Sequence, residues 1–186
     1  MKRRRRTARP ARKRKIVYYL AVSADGFIAR PDGDVAWLDR PRTAGDYGMA
    51  AFYKTIDTVL MGRKTYELGL KLGQKGYPGK KNYVFSRTLR PTAKARVQIV
   101  SGDVGELAWK LRSEEGKHIW LVGGADLAAA FLDAGQLDEL IIHVIPTFIG
   151  EGIPLIQPRH RSVELTLLST RTYRDGVLRL DYAVRR

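Results

Sequence analysis

The sequence of 186 residues has no cysteine and only three histidines. Without cysteine, disulfides, thiolate nucleophiles, iron–sulfur clusters and cysteine-ligated zinc are excluded. The histidines form no HExxH motif, so a zinc site made of protein ligands alone is not expected. A GxSxG motif and a Ser-His-Asp order are also missing, which leaves hydrolysis without a visible nucleophile.

Long apolar runs are missing too. No run approaches the roughly 20 residues that cross a bilayer. The apolar segment 16–22 that follows the basic start is too short for a signal peptide. A hydrophobic fraction of 44% is nevertheless enough for a substantial core. We therefore expect a globular cytoplasmic protein of one domain, without membrane association.

Negative charge is absent from the first fifteen residues, which hold ten of the lysines and arginines. The formal net charge is +15, so residues 16–186 carry only +5. We predict that residues 1–15 are a disordered basic tail and that residues 16–186 form a single domain. The tail could bind nucleic acid through its phosphates, but no aromatic residue interleaves the charges, which favours a simply solvated tail.

Strand-like and helix-like segments alternate through the body. This alternation predicts an α/β domain with a largely parallel sheet and a more antiparallel ending. A long loop is expected over residues 29–46. The predicted strands cover residues 15–22, 58–61, 82–86, 97–100, 118–122, 139–147, 163–169 and 177–184. The predicted helices cover residues 47–56, 64–70, 104–115 and 125–134.

Two turns follow buried strands and open helices, which is where α/β sheets bind ligands. The first is Gly62-Arg63-Lys64-Thr65. Glycine allows close approach, the helix start presents free N–H groups, and the basic side chains add positive charge. The pattern is typical of an anion cradle, although an ordinary turn with solvated basic residues has the same spacing.

The second turn is Gly123-Gly124, followed by Ala125 and Asp126. It fits neither the GxGxxG fingerprint nor the P-loop. Paired glycines before a helix still allow a bulky anion to lie against the chain, although a tight turn also favours glycine. Two such turns in one small domain favour a long anion held at two points, such as a dinucleotide.

Four blocks of sequence resemble the dihydrofolate reductase family, and most closely its riboflavin-biosynthesis reductase branch. They are residues 21–29, 57–67, 83–87, and 119–124 together with 138–142. The resemblance implies a three-layer α/β/α fold with a mostly parallel central sheet and antiparallel C-terminal strands. It also implies an NADPH-dependent reductase that transfers a hydride to a pteridine- or pyrimidine-like heterocycle. Family members often pair through their sheets, so a homodimer is a further expectation.

The resemblance also assigns cofactor contacts. The nicotinamide would be lined by Ala21 and Ile28, under a mobile loop formed by residues 29–46. The adenosine 2′-phosphate would lie near Ser86 and Arg87, whose guanidinium can bond two phosphate oxygens. The phosphates and the nicotinamide side would contact Gly62, Arg63, Lys64, Thr65, Gly123, Gly124, Ala125 and Asp126.

The substrate side departs from dihydrofolate reductases, which carry an acid about one turn before a phenylalanine of the first helix. Counting back from Phe52 gives Gly48. This departure disfavours dihydrofolate, and a ribosylaminouracil phosphate is the natural substrate of the riboflavin-type branch, although the chain has no deaminase domain. Trp37 and Phe52 could stack on a flat ring or could belong to the core.

Proton transfer has several candidate donors. His143 stands where the family has a substrate-facing threonine, and its pKa range suits proton transfer, but it could equally be a satisfied strand histidine. Asp46, Tyr47 and water are the other candidates. Two rival hypotheses are a nucleic-acid-associated protein that uses the basic tail and a protein that binds a nucleotide without turnover.

Overall fold

The computed structural model describes residues 14–40, 45–90, 96–159 and 161–185. In these ranges the strands are β1 Ile16–Ser23, β2 Phe27–Ala29, β3 Ile56–Gly62, β4 Lys81–Phe85, β5 Gln98–Val100, β6 His118–Gly123, β7 Glu139–Ile145, β8 Ile153–Pro154, β9 Leu165–Thr172 and β10 Leu178–Val184. The helices are α1 Met49–Thr55, α2 Arg63–Lys71, α3 Val104–Ser113 and α4 Ala125–Asp133, and a 3-10 helix covers Ala36–Leu38. None of the helices in these ranges is long and apolar enough to cross a membrane.

Eight strands form one sheet in the order β5-β4-β3-β6-β1-β7-β10-β9. The pairs from β5 to β7 are all parallel, and β10 is antiparallel to both β7 and β9. The predicted parallel sheet with an antiparallel ending is therefore confirmed. The small antiparallel sheet of β2 and β8 is missed by the sequence pattern because each strand has only two or three residues.

Helices cover both faces of the sheet, which gives the three layers that the resemblance implies. Alternation along β1 sends Ile16 and Tyr18 into one core cluster, whereas Val17 and Tyr19 enter the other. Buried residues of α3 and α4 complete the first cluster. Phe52 of α1, together with partly buried residues of α1 and α2, completes the second.

The predicted tail boundary is corrected by the structure. Arg14 is 1% exposed and Lys15 forms an ion pair with Glu139, so both belong to the folded body and not to the tail. Composition alone placed both residues in the tail, because a run of basic residues does not show which of them is buried in the folded protein. The remainder of the predicted tail, residues 1–13, lies outside the described residues. The nucleic-acid binding predicted for this tail therefore stays a prediction.

Candidate cofactor and substrate site

The two glycine turns lie side by side at one edge of the sheet. Strands β3 and β6 are parallel neighbours, so their carboxyl ends meet. A Cβ placed on Gly62 would be 3.7 Å from the carbonyl oxygen of Gly123. A Cβ on Gly124 would be 3.6 Å from the hydroxyl oxygen of Thr65. The turns predicted separately from sequence thus form one cleft between the starts of α2 and α4.

Both helices at this cleft begin without a side-chain cap. The N-cap residues are Gly62 for α2 and Gly124 for α4, and a glycine has no side chain that could accept a capping hydrogen bond. The first N–H groups of α2 and α4 are consequently available to an anion, and the helix dipoles favour it. Gly123 has φ +138°, which requires glycine, and its peptide bond to Gly124 is cis.

The predicted phosphate ligands of α2 lie on the surface of the same turn. Arg63 is exposed and its guanidinium lies 3.4 Å from Glu67, one turn along the helix. Lys64 is exposed beside it, whereas Thr65 is half-buried and faces Gly124. An exposed ion pair of this spacing contributes only about 0.3–0.5 kcal/mol, so Arg63 is readily turned towards a bound anion.

Ser86 and Arg87 follow β4, which is the next strand beyond β3. The Ser86 hydroxyl accepts hydrogen bonds from the backbone N–H groups of Leu89 at 2.9 Å and Thr88 at 3.2 Å, so it shapes the turn. The Arg87 side chain is exposed and has no hydrogen bond or ion pair within the described residues. Arg87 is therefore an exposed cation without a partner in the described residues, and it follows the carboxyl end of β4.

The remaining predicted cofactor residues lie near the carboxyl end of β1, on β2 and at the start of α4. Ala125 is buried, and Asp126 is exposed on the first turn of α4. Ala21 is half-buried on β1, directly opposite His143 of β7. Ile28 on β2 packs against the core cluster on the α3–α4 side. The contacts of these residues with a nicotinamide stay predictions.

His143 is satisfied within the fold. It is 4% exposed, and its Nε2 atom lies 3.1 Å from the backbone carbonyl of Tyr47. Because a carbonyl can only accept, Nε2 carries the hydrogen. Burial lowers the pKa of His143, which keeps the ring neutral at physiological pH. This environment favours the satisfied strand histidine over the proton donor, the two alternatives that the sequence left open.

Asp46 and Tyr47 lie just before α1, and both are engaged in hydrogen bonds. The Asp46 carboxylate accepts hydrogen bonds from the N–H groups of Ala50 at 2.8 Å and Gly48 at 2.9 Å, and these bonds lower its pKa. An acid that is ionised at neutral pH is a poor proton donor, so Asp46 suits capping better than the predicted catalysis. The Tyr47 hydroxyl donates to the Asp175 carboxylate.

The two aromatic residues predicted for substrate stacking have different environments. Phe52 is 6% exposed, with its ring stacked 4.3 Å from that of Tyr19 and edge-on to Trp120 at 5.6 Å. Phe52 is thus a core residue, and the prediction that it stacks on a substrate is not supported by its position. Trp37 is half-buried, and its indole N–H has no acceptor in the described part of the chain.

Sequence reasoning missed the side of the site that the terminal strands supply. Arg179 on β10 lies opposite His143, and Tyr173 in the β9–β10 turn donates its hydroxyl to the Tyr47 carbonyl at 2.9 Å. The sequence predicted the ribbon itself, but its pairing with β7 is a long-range contact without a local signal. Within the described ranges, no group of three or more metal-ligating side chains is placed to hold a metal ion.

Asp25 ties the loops at the carboxyl ends of β1 and β7 together. Its carboxylate accepts hydrogen bonds from the Ser23 hydroxyl at 2.5 Å and from the N–H groups of Gly150 at 2.7 Å and Ile149 at 3.1 Å. The Ala24 N–H also donates to the carbonyl of Thr147 at 2.9 Å. Asp25 therefore holds these two loops together at the carboxyl end of the sheet.

Replacing Asp25 with asparagine is expected to destabilise the protein at neutral pH but much less in acid. The hydrogen bond from Ser23, followed by those from Gly150 and Ile149, lowers the pKa of Asp25. A lowered folded-state pKa contributes stability above the ordinary pKa of about 3.9 and loses it as the pH falls through the folded value. Thermal unfolding of both proteins between about pH 3 and pH 7 measures this convergence. Asp32→Asn, on an exposed turn, is the control, and a constant difference between wild type and Asp25→Asn across the range would contradict the role.

Comparisons with known proteins agree with this architecture. The model of the RibD C-terminal domain matches residues 14–179. The uncharacterized protein YwjB of Bacillus subtilis is 38% identical over 165 residues, which cover 88% of this chain and 95% of that protein.

Two solved structures show the same fold. A Shewanella sp. PV-4 protein, provisionally assigned to riboflavin biosynthesis, superposes with a TM-score of 0.82 at 24% identity, over 92% of this chain and 99% of that one. Dihydrofolate reductase from Enterococcus faecalis, complexed with NADP(H), gives a TM-score of 0.68 at 18% identity, over 92% and 97% of the two chains. The family match covers nearly the whole described body, and this chain therefore belongs to the RibD C-terminal domain family.

Proposed function

We propose that this protein is an NADPH-dependent reductase that transfers a hydride to a pteridine- or pyrimidine-like heterocycle. The observation that carries the proposal is the meeting of two uncapped helix starts across Gly62, Thr65 and Gly124. A single such turn is common, but two that face each other suit the paired phosphates of a dinucleotide. Membership of a reductase-domain family supports the same conclusion.

The residues present fit NADPH. The N–H groups at the starts of α2 and α4 would hold the pyrophosphate, with Arg63 and Lys64 as exposed cations beside it. The free guanidinium of Arg87 would take the 2′-phosphate, the group that distinguishes NADPH from NADH. The bound cofactor supplies the hydride, so the protein's own task is to position the two reactants and to exclude water.

The substrate would lie beside Ala21 of β1, His143 of β7 and Arg179 of β10. Ala21, His143 and Arg179 occupy one row across these three strands. Because His143 is neutral and satisfied while Asp46 is ionised, water is the favoured source of the proton that accompanies the hydride. The side chains of this row would orient the substrate rather than react with it.

Gly48 weighs against dihydrofolate as the substrate. Gly48 immediately precedes α1 and lies four residues before Phe52, whose N–H donates to the Gly48 carbonyl at 3.0 Å. A residue without a side chain cannot supply the acid that would bind a pterin ring there. A pyrimidine of the riboflavin-pathway type is therefore the favoured substrate class within the proposal.

Titration of NADPH and NADH into the full chain, followed by quenching of tryptophan fluorescence, tests the cofactor. We expect NADPH to bind tighter, and Arg87→Ala to weaken NADPH about 10- to 100-fold while NADH changes little. Arg9→Ala removes the same charge from the basic start and controls for nonspecific attraction of the phosphates. The proposal fails if neither nucleotide binds at about millimolar concentration. If NADPH does bind, its consumption in the presence of a heterocyclic substrate would exclude the rival hypothesis of nucleotide binding without turnover.

A further inference from the structure

The space beside Gly48 is filled by an arginine from the other end of the chain. Gly48 has φ +85°, and a Cβ built on it would lie 2.8 Å from the Nη1 atom of Arg179. The hydroxyl of Tyr173 would be 3.9 Å from the same point. Where the first helix begins, the site therefore presents a guanidinium instead of a side chain of α1.

The guanidinium is fixed in place but keeps one edge free. Its Nε and Nη2 atoms donate to the two carboxylate oxygens of Asp181 at 2.7 and 3.0 Å. The Arg179 side chain is 20% exposed. Its Nη1 atom has no acceptor within the described residues, so two N–H groups remain available to a ligand.

The neighbouring polar groups are already engaged with one another. The His143 ring and the Tyr173 hydroxyl both bond the carbonyl of Tyr47. The Tyr47 hydroxyl is bonded to the carboxylate of Asp175. Of the nearby acids, Asp46 caps α1, Asp175 accepts from Tyr47, and Asp181 holds Arg179. Among the groups named here, the Nη1 atom of Arg179 is a donor that has no acceptor in the described part of the chain.

We propose that Arg179 determines substrate specificity by selecting a heterocycle that presents an oxo or ionised oxygen group to its Nη1 atom. This inference rests on the proposed reductase function and names the chemistry of its substrate. An oxygen acceptor would gain a charge-assisted hydrogen bond from the guanidinium. An amino or protonated amidine group at the same position would bring donor against donor and would leave the Nη1 atom without an acceptor.

A matched pair of pteridines tests the proposal. Lumazine carries oxo groups at positions 2 and 4, whereas 2,4-diaminopteridine carries amino groups there. Each is titrated by calorimetry into the full chain saturated with NADPH. We expect lumazine to bind about tenfold or more tightly than the diamino compound, and Arg179→Ala to abolish this preference. Arg179→Lys, which keeps the charge without the planar fork, should retain only part of it.

Controls separate this inference from the function on which it rests. Arg185→Ala removes an exposed charge that pairs with Glu164 at the far end of β10, and it should leave the lumazine preference intact. NADPH affinity, measured for every variant, reports whether the cofactor half of the site is folded. If the wild type does not bind NADPH, the proposed function itself is overturned. If NADPH binds normally, three results would overturn this inference alone. They are that lumazine does not bind, that the wild type binds both pteridines equally, or that both Arg179 variants keep the preference for lumazine.

Discussion

Replacing Arg14 with alanine is expected to lower the free energy of unfolding by about 3 kcal/mol. The guanidinium donates to the carbonyls of Lys117 at 2.7 Å and Leu111 at 2.8 Å. It also bonds the Asp57 carboxylate and the Thr58 hydroxyl, the latter at 2.9 Å. Alanine would leave these acceptors with unmet hydrogen-bonding capacity, and the two that are buried would have no water to replace the guanidinium.

Urea unfolding of Arg14→Ala against wild type measures this loss. Lys15→Ala is the matched control, because the neighbouring lysine is 46% exposed and forms a surface ion pair with Glu139. A pair of that kind contributes about 0–1 kcal/mol. Equal midpoints for the two variants would show that Arg14 is an ordinary member of the basic start and does not anchor β1.

The second large effect is expected from Gly124→Val, which should weaken NADPH binding about 100-fold without unfolding the protein. Gly124 has φ −85° and ψ −167°, an extended conformation with a negative φ that does not require glycine. The added side chain would point towards Thr65 across the cleft, since the Cβ position is 3.6 Å from the Thr65 hydroxyl. It would therefore occupy the space in which the phosphates approach the two helix starts.

Fluorescence titration with NADPH, together with a thermal melt, checks this result. Gly102→Val adds the same volume in a loop where no other atom lies within 4 Å of the new Cβ, so it should change neither measurement. Unaltered NADPH affinity in Gly124→Val would place the cofactor elsewhere. A collapse of the melting temperature would show that the turn is a packing feature of the fold.

Much of the fold could be predicted because its signals are local. Strand and helix patterns placed the principal elements, and the order of β3–α2 and β6–α4 pointed to the two glycine turns that lie together at the carboxyl ends of β3 and β6. Element ends were less accurate: α3 stops at Ser113, two residues earlier than predicted, and β9 runs to Thr172, three residues further. These ends depend on capping and on cross-strand pairing, which the apolar pattern does not encode.

The substrate side could not be predicted in the same way. The sequence pointed to Asp46, Tyr47 and His143 as reactive groups, yet all three are engaged within the fold: Asp46 caps α1, the Tyr47 hydroxyl donates to Asp175, and the His143 ring bonds the Tyr47 carbonyl. The partners of Tyr47 and His143 lie 128 and 96 residues away in the chain. Arg179 had no signal of its own, because only the pairing of β10 with β7 brings it beside Gly48.

The sequence by itself determined the α/β architecture, the family and the two turns suited to phosphates, because each depends on residues close together in the chain. The tertiary structure decided which charged groups are buried and which remain free. Arg14 became an anchor through partners 43 to 103 residues away. The free edge of Arg179 likewise arises where the last strand meets the first helix. Long-range packing sets the solvation and partners of a side chain, and therefore what that side chain can bind.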